Sequence, residues 1–163
     1  MTAQADELLR ANSLYASHFT KGELPAPPAR RFAVVTCMDA RLDPARALSL
    51  AEGDAHVIRN AGGLVTDDAL RSLAISHWEL GTQEVFVIAH TRCGMLALAN
   101  DALRGKIGAG AAGVDFLPFR DLDASVRESV RRVRESPLLP SSYGATGMVY
   151  DVETGRLRRV EDN

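Results

Sequence analysis

Two short, almost wholly apolar runs and one further strand-like segment recur along this chain, and each is followed by a segment with helical periodicity. The apolar runs are RFAVVTC (31–37) and EVFVIAH (84–90), and DAHVIRN (54–60) between them is predicted to be the second strand. A continuous apolar run rich in β-branched residues, such as RFAVVTC, is typical of a strand that is covered on both faces. Because strands that alternate with helices pair in parallel through crossover connections, the pattern predicts a doubly wound α/β domain with a mainly parallel central sheet.

The remaining segments complete the predicted order of elements. Helices are predicted over 43–50, 66–81 and 95–105 and from Asp121 onward, and an antiparallel edge hairpin is predicted at the C-terminus around Thr154 and Gly155. A chain of 163 residues is long enough for one domain with a proper core and too short for two. We therefore expect a single domain over 1–163.

The N-terminal segment is predicted to form an arm that reaches away from the core. Its apolar side chains recur at three- and four-residue spacing, at Leu8, Ala11, Tyr15 and Phe19. This spacing predicts an amphipathic helix over 5–19, and the Pro-rich stretch after it is expected to be extended. We therefore divide the chain into a helical arm with its linker at 1–29 and an α/β core at 30–163. An exposed apolar helix face needs cover, so we expect a homodimer in which the arm packs on its neighbour.

Charge and cysteine content exclude several classes of function. The net charge of −2 gives no electrostatic reason to expect nucleic acid or an anionic membrane as a partner. No apolar stretch approaches the length of a membrane span, and the first residues lack the apolar region of a secretory signal, so we expect a cytoplasmic protein. Two cysteines in a cytoplasmic chain are not expected to form a structural disulfide, which leaves buried thiols, redox chemistry or metal binding.

Both cysteines lie where a predicted strand ends. Cys37 ends the first strand, His90 ends the third, and Cys93 follows three residues later. If these two strands are neighbours, their carboxyl ends open into one crevice, which is where sheets of this kind bind ligands. Two thiolates and an imidazole suit Zn²⁺, and three protein ligands leave a fourth position open, as in catalytic zinc sites. Asp39 lies close enough to fill or guard that position, and Arg41 points the same way on an extended segment.

Two motifs and the segment between them resemble a known family. CMDAR (37–41) and HTRC (90–93) resemble the CxDxR…HxxC signature of the β-class carbonic anhydrases, and HVIRNAGG (56–63) resembles the segment that lines their active site. The resemblance covers nearly the whole chain and is greatest to the short bacterial members. It implies one Zn²⁺ per chain and an assembly that is a dimer or a dimer-based tetramer. The implied site residues are the zinc ligands Cys37, His90 and Cys93, the pair Asp39 and Arg41, of which Asp39 can also bind zinc, and the pocket residues Asn60, Ala61 and Gly62.

The resemblance implies an activity and leaves two alternatives open. The activity is the reversible hydration of CO₂ to bicarbonate and a proton by zinc-bound hydroxide, which Asp39 orients while Arg41 keeps Asp39 ionised. One alternative is a carbonyl sulfide or carbon disulfide hydrolase of the same family, and the other is a non-catalytic module with a structural zinc or a redox pair of cysteines. Pro28 stands where plant-type members have Gln. Val34 stands where members with an inhibitory bicarbonate site have Trp, so we expect no such inhibitory site.

Overall fold

The computed structural model describes residues 2–162 and follows the predicted alternation of strands and helices. Its elements are α1 (Ala3–Ala16), β1 (Phe32–Cys37), α2 (Pro44–Ala47), β2 (His56–Asn60), α3 (Asp67–Trp78), β3 (Glu84–His90), α4 (Asn100–Ile107), α5 (Leu122–Arg134), β4 (Gly144–Tyr150) and β5 (Leu157–Arg159). Single 3₁₀ turns lie at Ala61–Gly63, Gly94–Leu96 and Ala109–Ala111. Within 2–162, every helix is too short or too polar to cross a lipid bilayer.

The five strands form one sheet in the order β2-β1-β3-β4-β5. The first four are parallel, and β5 is antiparallel to β4, which confirms the predicted edge hairpin. The chain runs from β1 outward to β2 and then returns to place β3 on the other side of β1. The strand order therefore reverses between β1 and β3, so the predicted neighbours share one crevice at their carboxyl ends.

One face of the sheet carries the main hydrophobic core. Inward side chains of β1 and β3 pack there against α3 and α5; the buried members include Ala33, Val35, Val85, Val87, Leu73, Val130 and Val133. The apolar residues of α5 recur at helical spacing, which explains why this helix lies flat on the sheet. Gly147 of β4 permits the close approach, since a Cβ at this position would lie 2.5 Å from Cγ1 of Val126.

The opposite face of the sheet is only partly covered. Phe32, Val34 and Ile88 form its buried cluster, and the side chains beside the four-residue helix α2 cover one end of it. The other end is an open concavity of about 390 Å³, which is lined mainly by apolar residues such as Phe86 and Met148 and also by Arg30 and Glu84. The prediction of helices on both faces of the sheet is therefore confirmed, although the helix on this face is short. Part of this face remains exposed.

The N-terminal arm is helical, as predicted, but ends earlier than the sequence suggested. None of the side chains of α1 is buried, and its main attachment to the core is the Tyr15 hydroxyl, which donates to Glu52 Oε1 at 2.5 Å. The prediction of a helix to residue 19 is wrong by three residues. The side chains of Ser17 and His18 both bond to the carbonyl of Leu14, and such local side-chain bonds compete with helix continuation.

The helix predicted over 95–105 also starts too early. A 3₁₀ turn occupies Gly94–Leu96, and α4 begins only at Asn100. The guanidinium of Arg120 donates to the carbonyl of Leu96 at 2.8 Å, so a side chain from a distant loop takes an acceptor that a continuous helix would need. Local periodicity carries no sign of this long-range contact.

Candidate metal centre

The ends of two neighbouring strands place the three predicted ligands together. Cys37 is the last residue of β1 and His90 the last of β3, and Cys93 follows in the turn after β3. Arg92, just before Cys93, has a φ of 56°, a left-handed conformation that turns the chain sharply back. The Sγ atoms of the two cysteines and a ring nitrogen of His90 consequently lie within 4.8 Å of one another, and all three residues are buried.

The ring of His90 is oriented for metal binding. Its Nδ1 lies 2.9 Å from the carbonyl oxygen of Thr91, to which it donates a hydrogen bond, so Nε2 carries the free lone pair. Burial lowers the pKa of His90, which keeps the ring neutral. Within residues 2–162, Nε2 has no hydrogen-bond partner although it is buried, and an unsatisfied buried acceptor costs about 1–3 kcal/mol. A metal ion bound between the three donors would satisfy this atom.

The donor set selects the metal. Two thiols and one imidazole match the ligands of Zn²⁺, whereas Mg²⁺ and Ca²⁺ prefer oxygen. Burial raises the pKa of the Cys93 thiol to about 11, so a metal that binds at neutral pH must displace its proton. The three residues thus form a site that fits one zinc ion.

Asp39 lies beside this group and is held by Arg41. The guanidinium donates from Nε to Oδ1 at 2.9 Å and from Nη2 to Oδ2 at 2.7 Å, and the backbone N–H of Arg41 also donates to Oδ1. These bonds hold the pKa of Asp39 well below its usual range. Asp39 Oδ2 lies 3.7 Å from His90 Nε2. The sequence left open whether Asp39 fills the fourth metal position or guards it. In the structure Asp39 is paired with Arg41 and lies beside the three donors, outside their compact group.

Two contributors to the geometry were missed by the sequence analysis. Arg59 donates from Nε to the carbonyl of Cys37 at 3.0 Å and from Nη2 to the carbonyl of Asp39 at 2.8 Å, so it clamps the backbone on both sides of Met38. Gly63 has a φ of +66°, and a Cβ there would lie 2.8 Å from the backbone nitrogen of Cys37. Both residues lie in HVIRNAGG (56–63), the segment that resembles an active-site lining, and the GG pair is a weak signal for the close approach, whereas nothing in the segment marks Arg59 as a clamp on the backbone.

The three predicted pocket residues lie at the end of β2 and in the turn that follows it. Asn60 donates from Nδ2 to the carbonyl of Leu64 at 2.8 Å and accepts from the N–H of Leu64 at 2.9 Å. Its amide is thereby used to close the turn that presents Ala61 and Gly62. Ala61 is exposed, whereas Gly62 is buried and adopts a φ of +85°.

Comparison with known proteins places this geometry in a family. The family model for carbonic anhydrase matches residues 32–113. β-Carbonic anhydrase 1 of Mycobacterium tuberculosis is 46% identical over 159 residues, covering 95% of this chain and 96% of that protein. The crystal structure of a carbonic anhydrase from Streptococcus mutans superposes with a TM-score of 0.93 at 45% identity, covering 99% of each chain.

A relative with a different name is also similar. A carbon disulfide hydrolase of Acidithiobacillus thiooxidans is 36% identical over 159 residues, covering 83% of this chain and 80% of that protein. The relatives that show these sequence identities are of nearly the same length as this chain. The family match and the identities agree with the group of two cysteines and one histidine at the carboxyl ends of β1 and β3. The chain belongs to the β-carbonic anhydrase family.

Proposed function

We propose that this chain catalyses the reversible hydration of CO₂ to bicarbonate and a proton, with one Zn²⁺ held by Cys37, His90 and Cys93. The observation that carries the proposal is the group of three buried donors, with an unpartnered His90 Nε2, directly beside an ion-paired carboxylate. A zinc ion held there supplies a Lewis acid that lowers the pKa of a coordinated water toward about 7.

Asp39 and Arg41 orient the reacting water in this proposal. The Asp39 carboxylate accepts a hydrogen bond from that water and so directs an oxygen lone pair toward the carbon of CO₂. Arg41 holds Asp39 in its ionised form through two parallel hydrogen bonds, and the carbonyl of Arg92 in turn accepts from Arg41 Nη2 at 3.1 Å. Arg59 positions the backbone that carries both Cys37 and Asp39.

We propose that the turn after β2 forms the substrate side of the site. Ala61 and Gly62 lie in the turn whose next residue, Gly63, packs against the backbone of Cys37, and Asn60 closes that turn. A side chain at Gly62 would collide with Phe119 and Met95, so glycine permits the close approach of these residues. CO₂ carries no charge, so shape and apolar contact, more than ion pairing, have to hold it.

The substrate is tested by measuring two activities on one zinc-loaded preparation. We expect rapid CO₂ hydration by stopped-flow indicator assay and little or no sulfide release from carbonyl sulfide or carbon disulfide. The specific observation that favours the second substrate class is the 36% identity to a carbon disulfide hydrolase. Sulfide release with hydration at the uncatalysed rate would assign the chain to that activity instead.

A purely structural zinc site is the less favoured interpretation. Structural zinc sites are closed by four protein ligands, whereas the compact donor group here has three members and the nearby carboxylate is paired with Arg41. A redox role for the cysteines does not require the buried His90 nitrogen. Both observations support a site with one position left for water.

The rate of hydration should rise with pH. The reactive form of the coordinated water is the deprotonated one, and its ionisation falls near neutral pH. Asp39 does not contribute to this rise, because Arg41 holds the pKa of its carboxyl far below the range and keeps it ionised. We expect kcat/KM for hydration to increase from about pH 6 to about pH 9. A flat stopped-flow profile over that range would contradict the assignment.

We also propose that the working form is at least a homodimer. Leu8 and Tyr15, which belong to the predicted apolar stripe of the arm, are 65% and 54% exposed, and an exposed apolar stripe of this kind marks an interaction surface. The open concavity on the other side of the sheet, lined mainly by apolar residues together with Arg30 and Glu84, is the surface that we assign to an arm from a second copy. The arm is held to its own core mainly by the hydrogen bond from Tyr15 to Glu52, so it can be exchanged between copies.

Sedimentation velocity at micromolar concentration tests the dimer. The wild-type protein should sediment at twice the 17.6 kDa chain mass or more, and Leu8→Asp should shift the population toward monomer. Ser13→Asp is the matched control, because it adds the same charge at an exposed position on another side of α1. A monomeric wild type, or an equal effect of both substitutions, would refute the proposed interface.

The state of the two cysteines indicates the cellular compartment. Both cysteines are free thiols within a buried donor group, as a reducing compartment permits. We propose a cytoplasmic enzyme.

A further inference from the structure

Two apolar side chains lie over the turn that lines the metal centre, and the proposed reaction assigns them no task. A Cβ at Gly62 would fall 3.0 Å from Cε1 of Phe119 and 3.2 Å from Cγ of Met95. Both side chains also pack against the buried cluster that contains Cys37 and Cys93. Met95 and Phe119, which we call the apolar cap, therefore pack both against Gly62 and against the cluster that contains the two cysteines.

The loop that carries Phe119 is fastened to the segment that carries Met95. Arg120, next to Phe119, donates to the carbonyl of Leu96, next to Met95, at 2.8 Å. The Asn100 side chain donates to Asp115 at 2.8 Å and accepts from the N–H of Phe116 at 2.9 Å. These contacts fix the loop at two points, so the position of Phe119 is set by polar bonds and not by its own packing alone.

The loop that carries Phe119 also contains a residue with a rare backbone conformation. Leu117 has a φ of 56°, which costs energy for a bulky residue and persists only where the surroundings enforce it. Its N–H donates to Asp115 Oδ1 at 2.9 Å, the same oxygen that accepts from Asn100. The strained residue lies two positions before Phe119, so it contributes to the direction from which the ring reaches the metal centre.

The substrates that this family distinguishes differ in size and polarisability. CO₂, carbonyl sulfide and carbon disulfide are linear, uncharged molecules with an electrophilic central carbon, and sulfur is larger than oxygen. No charged group can separate them by ion pairing, so discrimination has to come from the volume and shape of an apolar wall. A difference of one methylene group between two substrates in a hydrophobic pocket changes their relative rates by about 10- to 200-fold.

We propose that the apolar cap of Met95 and Phe119 determines specificity by limiting the space beside Gly62 to a molecule of the size of CO₂. This inference rests on the proposed function and deepens it, since it names the residues that separate CO₂ from its sulfur analogues. Shortening either side chain opens space for the larger sulfur atoms. The cap leaves the three metal ligands and the Asp39–Arg41 pair unchanged.

The first test compares substrates in Met95→Ala and Phe119→Ala. The ratio of kcat/KM for carbon disulfide to that for CO₂ should rise by about tenfold or more in each variant, while zinc content stays at the wild-type level. Val114→Ala is the matched control, because this apolar side chain lies on the same loop but is 41% exposed. Met95→Leu and Phe119→Leu keep more of the volume and should shift the ratio in the same direction by less.

A second test does not depend on catalysis. Cyanate and thiocyanate are linear anions that differ by the same exchange of oxygen for sulfur, and their binding to cobalt-substituted protein is followed by visible absorption. Relative to cyanate, thiocyanate should bind about tenfold more tightly or better in the cap variants than in wild type, and Val114→Ala should leave the ratio unchanged. Equal ratios in all four proteins, or an equal shift in the control, would overturn the cap. A shifted anion ratio in a protein that hydrates no CO₂ would support the cap and reject the proposed function.

Discussion

Replacing Cys93 or Cys37 with serine should remove most of the bound zinc and nearly all CO₂ hydration. Each substitution takes away one of three donors that lie within 4.8 Å of one another, and a neutral hydroxyl is a poor substitute for a thiolate. Loss of an outer partner of a metal ligand already weakens binding by about 10- to 100-fold, so loss of the ligand should weaken it by more than about 100-fold. The measurement is zinc content after dialysis against a chelator, together with the chelator competition constant.

The control for this experiment adds the same hydroxyl nearby without touching the donors. Ala97 is exposed in the turn after Cys93, so Ala97→Ser should retain the metal and the activity. Circular dichroism of all variants establishes that the fold persists. Full zinc retention in both cysteine variants would remove the basis for the metal centre.

The second large effect concerns Asp39 and Arg41, whose substitutions should not add. Asp39→Ala removes the acceptor that orients the reacting water, and kcat/KM should fall by about 10²- to 10⁴-fold with zinc still bound. Arg41→Ala leaves the carboxylate without its two guanidinium bonds and free to approach the open metal position, where it blocks water. The double variant should be little worse than the worse single variant, because Arg41 has nothing to hold once Asp39 is gone.

An exposed ion pair on α3 provides the control for this double-mutant cycle. Asp68 and Arg71 form an ion pair on the surface of α3 through a single contact, Nε to Oδ1 at 2.9 Å. Their single and double alanine variants should leave kcat/KM unchanged, since surface pairs contribute little. If the losses at Asp39 and Arg41 instead add fully in free energy, the two residues act independently and the positioning role of Arg41 is wrong.

The fold and the donor group could be predicted because both depend on short-range patterns. Apolar runs such as those ending at Cys37 and His90 identify buried parallel strands, and the carboxyl ends of adjacent parallel strands necessarily share one edge. Cys93 follows His90 by only three residues, so its position beside Cys37 and His90 could be predicted without knowing the path of any distant loop. The apolar runs and the three donor residues were thus sufficient to predict a zinc site at this edge.

The features that escaped prediction depend on long-range contacts or on backbone partners. Arg59 acts through two carbonyl groups, and any residue type supplies a carbonyl, so no motif marks the clamp. Phe119 reaches the site from a loop whose path depends on the bond between Arg120 and Leu96. The same bond explains why a helix from residue 95 was wrong. At the arm, side-chain bonds to the Leu14 carbonyl ended α1 before the apolar periodicity ended.

The most direct measurement is a titration of metal-free protein with Zn²⁺, followed by the rate of CO₂ hydration. We expect the rate to rise linearly and to stop rising at about one zinc per chain, because the described residues bring together a single group of three buried donors, Cys37, His90 and Cys93. The Cys93→Ser variant should show no such break at the same protein concentration. A wild-type rate that does not respond to zinc, or that saturates at a different stoichiometry, would contradict a catalytic zinc centre at this edge of the sheet.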